Sequence, residues 1–177
     1  MNVIFIQSIV DVQSRLKPLP TTGQMQCGIS YISALLKKYG HTTRLIILSR
    51  VFGEKNKHTI DMYLRKFYPR VIGFTTISSE YRFISNMARY IKRRYPDIYL
   101  VAGGPHASLN PKETMHDAFD AVCVGEGEYP ILELVAQIKE KTHPSRIPNL
   151  WIKNGSYIER NPTRPFLQDL DNLPFPD

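Results

Sequence analysis

The stretch VAGGPH, residues 101–106, ends an apolar run with two glycines, a proline and a histidine. The run leading into it, IYLVAG at 98–103, has the length and composition of a buried β-strand. Glycines lose more conformational freedom on folding than other residues, so a pair of them at a strand end needs a reason. A tight turn, or the close approach of another molecule, would supply one.

On both sides of this stretch, strand-like runs alternate with helix-like runs. The strand candidates are residues 3–7, 42–48, 71–75, 98–103 and 120–124. Apolar residues recur at helical spacing over 29–39, 80–94 and 128–140. Residues 58–68 are expected to form a short, polar helix, and a brief helix is expected after Pro111. Strands that alternate with helices build βαβ units. The sequence therefore predicts an α/β, flavodoxin-like (Rossmann-like) fold, with a five-stranded parallel sheet of order 2-1-3-4-5 and helices on both faces.

The segment after residue 143 has a different character. LWIKNGSYIER places Asn154 and Gly155 between two short extended runs, which is a strong signal for a β-hairpin. Residues 161–177 are rich in proline and lack helical spacing, as expected for an extended linker. We therefore expect an α/β domain over residues 1–143, followed over 144–177 by a hairpin and a linker. Because such a linker commonly leads to a further domain, the chain is interpreted as the front part of a longer protein.

The composition is that of an ordinary globular protein. The chain has 177 residues, of which 42% are hydrophobic and 22% charged. No run approaches the roughly 18 apolar residues of a membrane-spanning helix. The N-terminus, MNVIFIQSIVDVQ, lacks the basic region and cleavage site of a signal peptide, so a cytoplasmic protein is expected. The two cysteines, Cys27 and Cys123, form no zinc or cluster motif, so no metal site is expected.

The net charge of +7 leaves two interpretations open. Lys92, Arg93 and Arg94 form a basic cluster at the end of the third predicted helix, where cations complement the helix dipole. A nucleic-acid-binding adaptor would use the same charge, but no recognition motif accompanies it. The solvated helix end is the preferred interpretation, and the adaptor stays an alternative.

Because ligands of such sheets bind at the carboxyl ends of the strands, the loops there indicate function. A phosphoreceiver domain would need an aspartate after the third strand, where the chain reads FTTIS. A flavodoxin would need a phosphate loop directly after the first strand, but the hydroxyl-rich Thr21-Thr22-Gly23 comes later. GEGEYP at 125–130 matches a dinucleotide fingerprint only in part, and its glutamates would repel a pyrophosphate. None of these three classes fits the loops.

What the loops do offer is a rim of small, neutral groups. The hydroxyls after the third strand and the glycines after the fourth and fifth are Thr75, Thr76, Ser78, Ser79, Gly103, Gly104, Gly125 and Gly127. Missing side chains on adjacent strand ends leave a slot for a large flat or elongated ligand. The alternative is that the glycines only serve tight turns. Paired glycines at two neighbouring strand ends favour the slot.

Three stretches carry a resemblance to a known family. VIGFTTISSEY, VAGGPHASLNP and DAVCVGEGEYPILEL, in this order and spacing, resemble the cobalamin (B12)-binding domain that precedes the catalytic barrel of B12-dependent radical SAM enzymes. The anaerobic magnesium-protoporphyrin IX monomethyl ester cyclase belongs to that group. The similarity extends to PLPTTGQMQCGISYISALLKKYGH near the N-terminus and to the strap that begins at IPNLW. It thus covers almost the whole chain.

The resemblance implies the same fold, with a slot that takes the nucleotide tail of cobalamin. The residues implied as cofactor contacts are Thr75, Ser78, Ser79, Gly103, Gly104, Gly125, Glu126 and Gly127. The loop QSIVDVQSRLKPLPTTGQ contains no histidine, so cobalamin would bind without the cobalt ligand that better-known B12 domains place there. The Cys-x-x-x-Cys-x-x-Cys motif of the barrel is also missing. A 4Fe-4S cluster and S-adenosylmethionine are therefore expected only in a barrel beyond residue 177, and no catalytic residue is expected here.

His106, Glu126 and Glu128 have ordinary interpretations beside functional ones. His106 follows the fourth strand, away from the expected position of a cobalt ligand, so we interpret it as a rim residue in a loop. Glu126 and Glu128 either stabilise a helix N-terminus or act at the site, and both interpretations remain open.

The preferred hypothesis is a cobalamin-binding module of a radical SAM enzyme. It would hold the corrinoid against the barrel of the same parent chain, for methyl transfer or ring-forming chemistry. A second alternative, beside the nucleic-acid-binding adaptor, is a vestigial domain that binds no ligand and only packs against the barrel. Bulky side chains filling the slot would favour the vestigial domain.

Overall fold

A computed structural model describes residues 1–9 and 27–177 of the chain. The strands are β1 (Asn2–Ile9), β2 (Thr42–Ser49), β3 (Val71–Thr75), β4 (Tyr99–Gly103), β5 (Ala121–Cys123), β6 (Leu150–Asn154) and β7 (Tyr157–Arg160). The helices are α1 (Cys27–Lys38), α2 (Lys55–Phe67), α3 (Tyr81–Arg94), α4 (Pro105–Leu109), α5 (Pro111–His116) and α6 (Glu128–Lys139). Two short 3-10 turns lie at Arg50–Phe52 and Leu170–Asn172.

All seven strands belong to one sheet of order β2-β1-β3-β4-β5-β6-β7. The first five are parallel, in the predicted order 2-1-3-4-5, with Phe5 of β1 beside Gly73 of β3. The predicted α/β class is therefore confirmed. The predicted number of five strands is too low, because the hairpin joins the sheet: Val122 of β5 pairs antiparallel with Trp151 of β6. The hairpin thereby covers the edge that β5 would otherwise leave unpaired.

The sheet separates two apolar layers, because alternate side chains of each strand point to opposite faces. Ile4, Ile72 and Leu100 pack on the side of α2 and α3. Val3, Val71 and Val101 pack on the side of α1 and α6. Such two-sided burial is typical of parallel strands covered by helices, and it explains why the strands read as continuous apolar runs.

The helix α4 is absent from the sequence prediction, which left residues 105–109 as a loop. Pro105 occupies the first turn of α4, where its fixed φ suits a helix and its missing N–H costs nothing. His106 therefore lies on a short helix rather than in a loop. Across residues 1–9 and 27–177, no helix has both the length and the apolar character needed to cross a membrane.

Candidate functional site

A cleft opens at the carboxyl edge of the sheet, between α1 and α6. It has a volume of about 180 Å³. Its strand residues are Phe5, Gly73, Phe74, Thr75, Val101, Gly103 and Cys123, and its helix residues include Gly28, Ile29, Ile32, Glu128 and Ile131. The cleft lies beside the neighbouring strands β1 and β3, from which the chain continues in opposite directions across the sheet. Sheets of this type bind their ligands at such a point.

The structure brings most of the predicted contact residues to this cleft. Thr75, Gly103, Gly104, Gly125, Glu126 and Gly127 all line it. Ser78 and Ser79 are exposed and lie outside the lining. The Oγ of Ser78 lies 3.1 Å from Nδ1 of His106, so its hydroxyl is used within the fold. That the lining residues contact a cofactor stays a prediction.

The two glycines of VAGGPH have different roles. Gly104 has a φ of 93°, and a Cβ there would lie 2.9 Å from the backbone N of Thr76. The turn itself therefore requires glycine at position 104. A Cβ at Gly103 would lie 3.7 Å from Cβ of Cys123, an ordinary contact. The fold has room for a Cβ at position 103, so the turn does not require glycine there, and its bare backbone lines the cleft.

Two other glycines let the walls of the cleft approach one another. A Cβ at Gly73 would lie 2.8 Å from Cδ1 of Phe5, so the ring of Phe5 packs directly against the β3 backbone. A Cβ at Gly127 would lie 2.9 Å from Cδ1 of Ile32, which brings the start of α6 close to α1. The sequence analysis missed Phe5, Gly73 and Ile32. The glycine inside the strand VIGFT was the signal that a close approach occurs there.

The two glutamates at the start of α6 differ in their surroundings. Oε2 of Glu126 accepts a hydrogen bond from the backbone N of Leu167, at 2.9 Å. Oε2 of Glu128 is buried and has no hydrogen-bond partner within the described residues. Burial raises the pKa of the Glu128 carboxyl, and the charge of Glu126 raises it further, against backbone hydrogen bonds that lower it. Glu126 thus holds the C-terminal strap, whereas Glu128 lines the cleft.

Asn149 joins the cleft to the C-terminal strap, residues 161–177. Its Nδ2 donates to the backbone O of Glu126 at 3.2 Å, and its Oδ1 accepts from the backbone N of Arg164 at 2.7 Å. Arg164 also forms a salt bridge of 3.1 Å with Glu133 of α6. At the far end of the strap, Asp177 forms a salt bridge with Lys37 of α1. The strap is therefore attached to both helices that flank the cleft.

His106 is buried and lies outside the lining of the cleft. Its ring stacks on Tyr81 with the ring centroids 3.8 Å apart. Tyr81 in turn donates to Oδ2 of Asp117 at 2.6 Å. The interpretation of His106 as a rim residue is therefore wrong, because the short helix α4 turns its side chain toward α3.

The cysteines and other metal-binding side chains form no cluster in the described ranges, 1–9 and 27–177. No group of three or more His, Cys, Asp or Glu side chains there is arranged to hold a metal ion. Cys27 is exposed and Cys123 is buried at the cleft. Burial raises the pKa of the Cys123 thiol to about 12, so this thiol stays protonated at neutral pH.

Residues 25–135 match a protein family described as the B12 binding domain. The chain belongs to this family. The match includes α1, β3, β4, β5 and about two thirds of α6, which contribute most of the cleft lining. The resemblance seen in the sequence is thereby confirmed.

Known relatives are cobalamin-dependent or uncharacterized methyltransferases. An uncharacterized methyltransferase of Pyrococcus horikoshii is 26% identical over 93% of this chain and 36% of its own length. The cobalamin-dependent radical SAM methyltransferase TokK of Streptomyces tokunonensis is 30% identical over 61% of this chain and 16% of its own. A solved structure of similar fold is that of TsrM from Kitasatospora setae, a radical SAM methyltransferase, with cobalamin and a 4Fe-4S cluster bound. It aligns over 90% of this chain and 30% of the TsrM chain, with a TM-score of 0.70 and 18% identity. The chain therefore spans about a third or less of the length of these proteins.

One prediction falls on residues that the structure does not describe. The histidine-free loop after β1, including Thr21, Thr22 and Gly23, lies mostly within residues 10–26. Whether cobalt would have a ligand from this loop stays a prediction.

Proposed function

We propose that this domain binds cobalamin and that the cleft takes the nucleotide tail. The observation that carries the proposal is Gly103, where the fold would accept a side chain without a close contact and the chain has none. Space left open on a strand end, at the position where this type of sheet binds ligands, is a feature of a binding site.

The size and chemistry of the cleft suit one part of a large ligand. Its volume of about 180 Å³ is below the roughly 300 Å³ at which pockets for complete small ligands begin. A single heteroaromatic ring system matches this space, whereas a corrin ring does not. The apolar walls, Phe5, Ile32 and Ile131, would pack on such a ring.

The alternatives have less support. Bulky side chains that filled the slot would favour a domain without a ligand, but the cleft remains open between α1 and α6. The basic cluster of the nucleic-acid alternative is partly neutralised, because Lys92 pairs with Asp120 at 2.8 Å and Arg94 with Asp61 at 3.2 Å. Both pairs lie at the last turn of α3, where cations also complement the helix dipole.

For the longer protein, we propose that this domain holds the corrinoid against a radical SAM barrel of the same parent chain. Bound cobalamin would supply the methyl-transfer or radical chemistry of the cobalt, which is a property of the cofactor. The residues of this chain would bind the tail, exclude water from it and orient the corrin. A 4Fe-4S cluster and S-adenosylmethionine would be bound by the barrel.

The test is retention of a corrinoid by the 177-residue chain. The purified protein is mixed with hydroxocobalamin, desalted, and its visible absorption spectrum recorded. We expect close to one corrinoid per chain. Cobinamide, which has the corrin ring without the nucleotide tail, serves as the matched control and should be lost on desalting. Loss of cobalamin from a chain that circular dichroism shows to be folded would overturn the proposal, and equal retention of cobinamide would overturn the assignment of the tail to the cleft.

A further inference from the structure

The ring of Phe5 forms the inner wall of the cleft. On the face of the sheet that α1 and α6 cover, Thr75 and Gly103 pair at the strand ends, and Phe5 pairs with Gly73 one row further in. Both rows line the cleft, whereas Val71, in the next row, is fully buried in the apolar layer. Since two residues of a strand span about 6.6 Å, the cleft ends about that far below the strand ends.

Gly73 allows the ring of Phe5 to lie in this place. A Cβ at position 73 would lie 2.8 Å from Cδ1 and 2.9 Å from Cε1 of Phe5. The ring therefore occupies the space above β3 that a side chain at position 73 would fill. Phe5 is only 4% exposed, and the dense packing of a protein interior leaves such a ring little room to move. The wall is thus unable to recede for a longer ligand.

A second space lies on the other side of this wall. It is a groove of about 620 Å³ beside β2, and Leu45 and Phe67 are among the residues that line it. Phe5 and Ile29 line both the cleft and the groove. These two side chains therefore separate the two spaces, and removal of the Phe5 ring would join them.

We propose that Phe5 limits the length of the lower base, the heterocycle of the nucleotide tail in which natural cobamides differ. The proposal rests on the proposed function, because it requires the tail to lie in the cleft. With the ribose at the mouth of the cleft, the far end of a benzimidazole points toward Phe5. A third fused ring would lengthen the base at that end and meet the wall, and overpacking against a dense interior is unfavourable. The cleft therefore selects cobamides whose base has no more than two fused rings.

The test compares benzimidazolyl cobamide with naphthimidazolyl cobamide, which differ by one fused ring at the far end of the base. Their dissociation constants with the unaltered chain are measured by equilibrium dialysis, with the corrinoid absorbance as readout. We expect benzimidazolyl cobamide to bind at least about tenfold more tightly, as is usual when an apolar pocket rejects a group that is too large. Phe5→Ala should reduce this preference to about threefold or less, through tighter binding of the naphthimidazolyl form.

Phe67→Ala is the matched control, because it removes the same ring from the wall of the groove and Phe67 does not line the cleft. It should leave the preference unchanged. Phe5→Leu, which keeps most of the buried volume, should also reduce the preference, and it replaces Phe5→Ala if that variant does not fold.

Equal affinity of the unaltered chain for both cobamides would overturn the role of Phe5 while the proposed function stands. A folded Phe5 variant with an unchanged preference would overturn it as well. Failure of the folded, unaltered chain to bind either cobamide would overturn both proposals.

Discussion

Gly104 lies against Thr76 so closely that a Cβ at position 104 would stand 2.9 Å from both the backbone N and the backbone O of Thr76. Thr76 is fully buried, and its Oγ1 donates to the backbone O of Gly103 at 2.8 Å. Its backbone O accepts from the N of His106 at 3.0 Å. The end of β3 thus holds the turn between β4 and α4, and this turn positions the bare backbone of Gly103 at the cleft.

Gly104→Ala should destabilise the protein. The added methyl group would meet backbone atoms that cannot move independently, and the positive φ disfavours any L side chain. We expect the free energy of unfolding to fall by about 1–3 kcal/mol or more, measured by urea denaturation. Gly28→Ala is the control, because a Cβ at position 28 would meet nothing within 4 Å. Equal stability of the two variants would contradict the role assigned to Gly104.

Gly103→Val should lower the affinity for cobalamin while the fold is preserved. Its side chain would extend into the cleft and occupy space assigned to the nucleotide tail. We expect a loss of affinity of at least about tenfold, measured by absorbance titration. Gly103→Ala, which adds only a Cβ at an ordinary 3.7 Å from Cβ of Cys123, should have a smaller effect. A folded Gly103→Val variant with unchanged affinity would show that the tail lies elsewhere.

Asn149→Ala should release the C-terminal strap from the cleft. The variant loses the side-chain hydrogen bonds to Glu126 and Arg164, and Asn149 has a φ of 70°, which alanine adopts less readily. Hydrogen exchange at the amides of Arg164 and Leu167 should become at least about tenfold faster, since the strap then opens locally. Asn172→Ala, an exposed strap residue, is the control. Unchanged exchange in Asn149→Ala would mean that other contacts hold the strap.

Asp117→Asn should destabilise the protein at neutral pH and much less in acid. Burial alone would raise the pKa of Asp117, but the hydrogen bonds from Tyr81 and Arg89 and the positive charge of Arg89 outweigh it, so this pKa is lowered. The ionised carboxylate therefore stabilises the fold fully at pH values above the pKa of the unfolded state, about 3.9. This stabilisation is lost as the pH falls through the lower pKa of the folded state. We expect a loss of about 1–3 kcal/mol at pH 7.

Urea denaturation at neutral and at strongly acidic pH measures this difference. Asp97→Asn, at an exposed position, is the matched control and should change the stability little at either pH. An equal loss in Asp117→Asn at both pH values would contradict the role of the ionised carboxylate.

Much of the fold is predictable from local patterns. The two-sided burial of Val3 to Ile6 and the apolar stripe Ile84, Met87, Ala88 and Ile91 leave periodic signals in the sequence. The helix α4 leaves none, because five residues are too few to show a helical period. The hairpin was predicted from Asn154 and Gly155, but its partner strand was not, since pairing between β5 and β6 depends on residues far apart along the chain.

The candidate site likewise has parts that the sequence predicts and parts that it does not. The glycines at 103, 104, 125 and 127 were found because adjacent bare positions at strand ends are visible in one dimension. Phe5 packs on Gly73, which lies 68 positions along the chain, and Glu126 bonds to Leu167, which lies 41 positions along. No local sequence pattern predicts contacts between residues so far apart.

The sequence by itself determined the α/β class, the order of the five parallel strands and the loops that line the cleft, because periodic burial and strand-end glycines are local properties. Only the tertiary structure decided that the turn requires glycine at position 104 and not at 103, and that His106 belongs to the interior. It also separated Glu126, which holds the strap, from Glu128, whose Oε2 is buried without a hydrogen-bond partner among residues 1–9 and 27–177. These distinctions depend on distances between atoms that only the folded chain brings together.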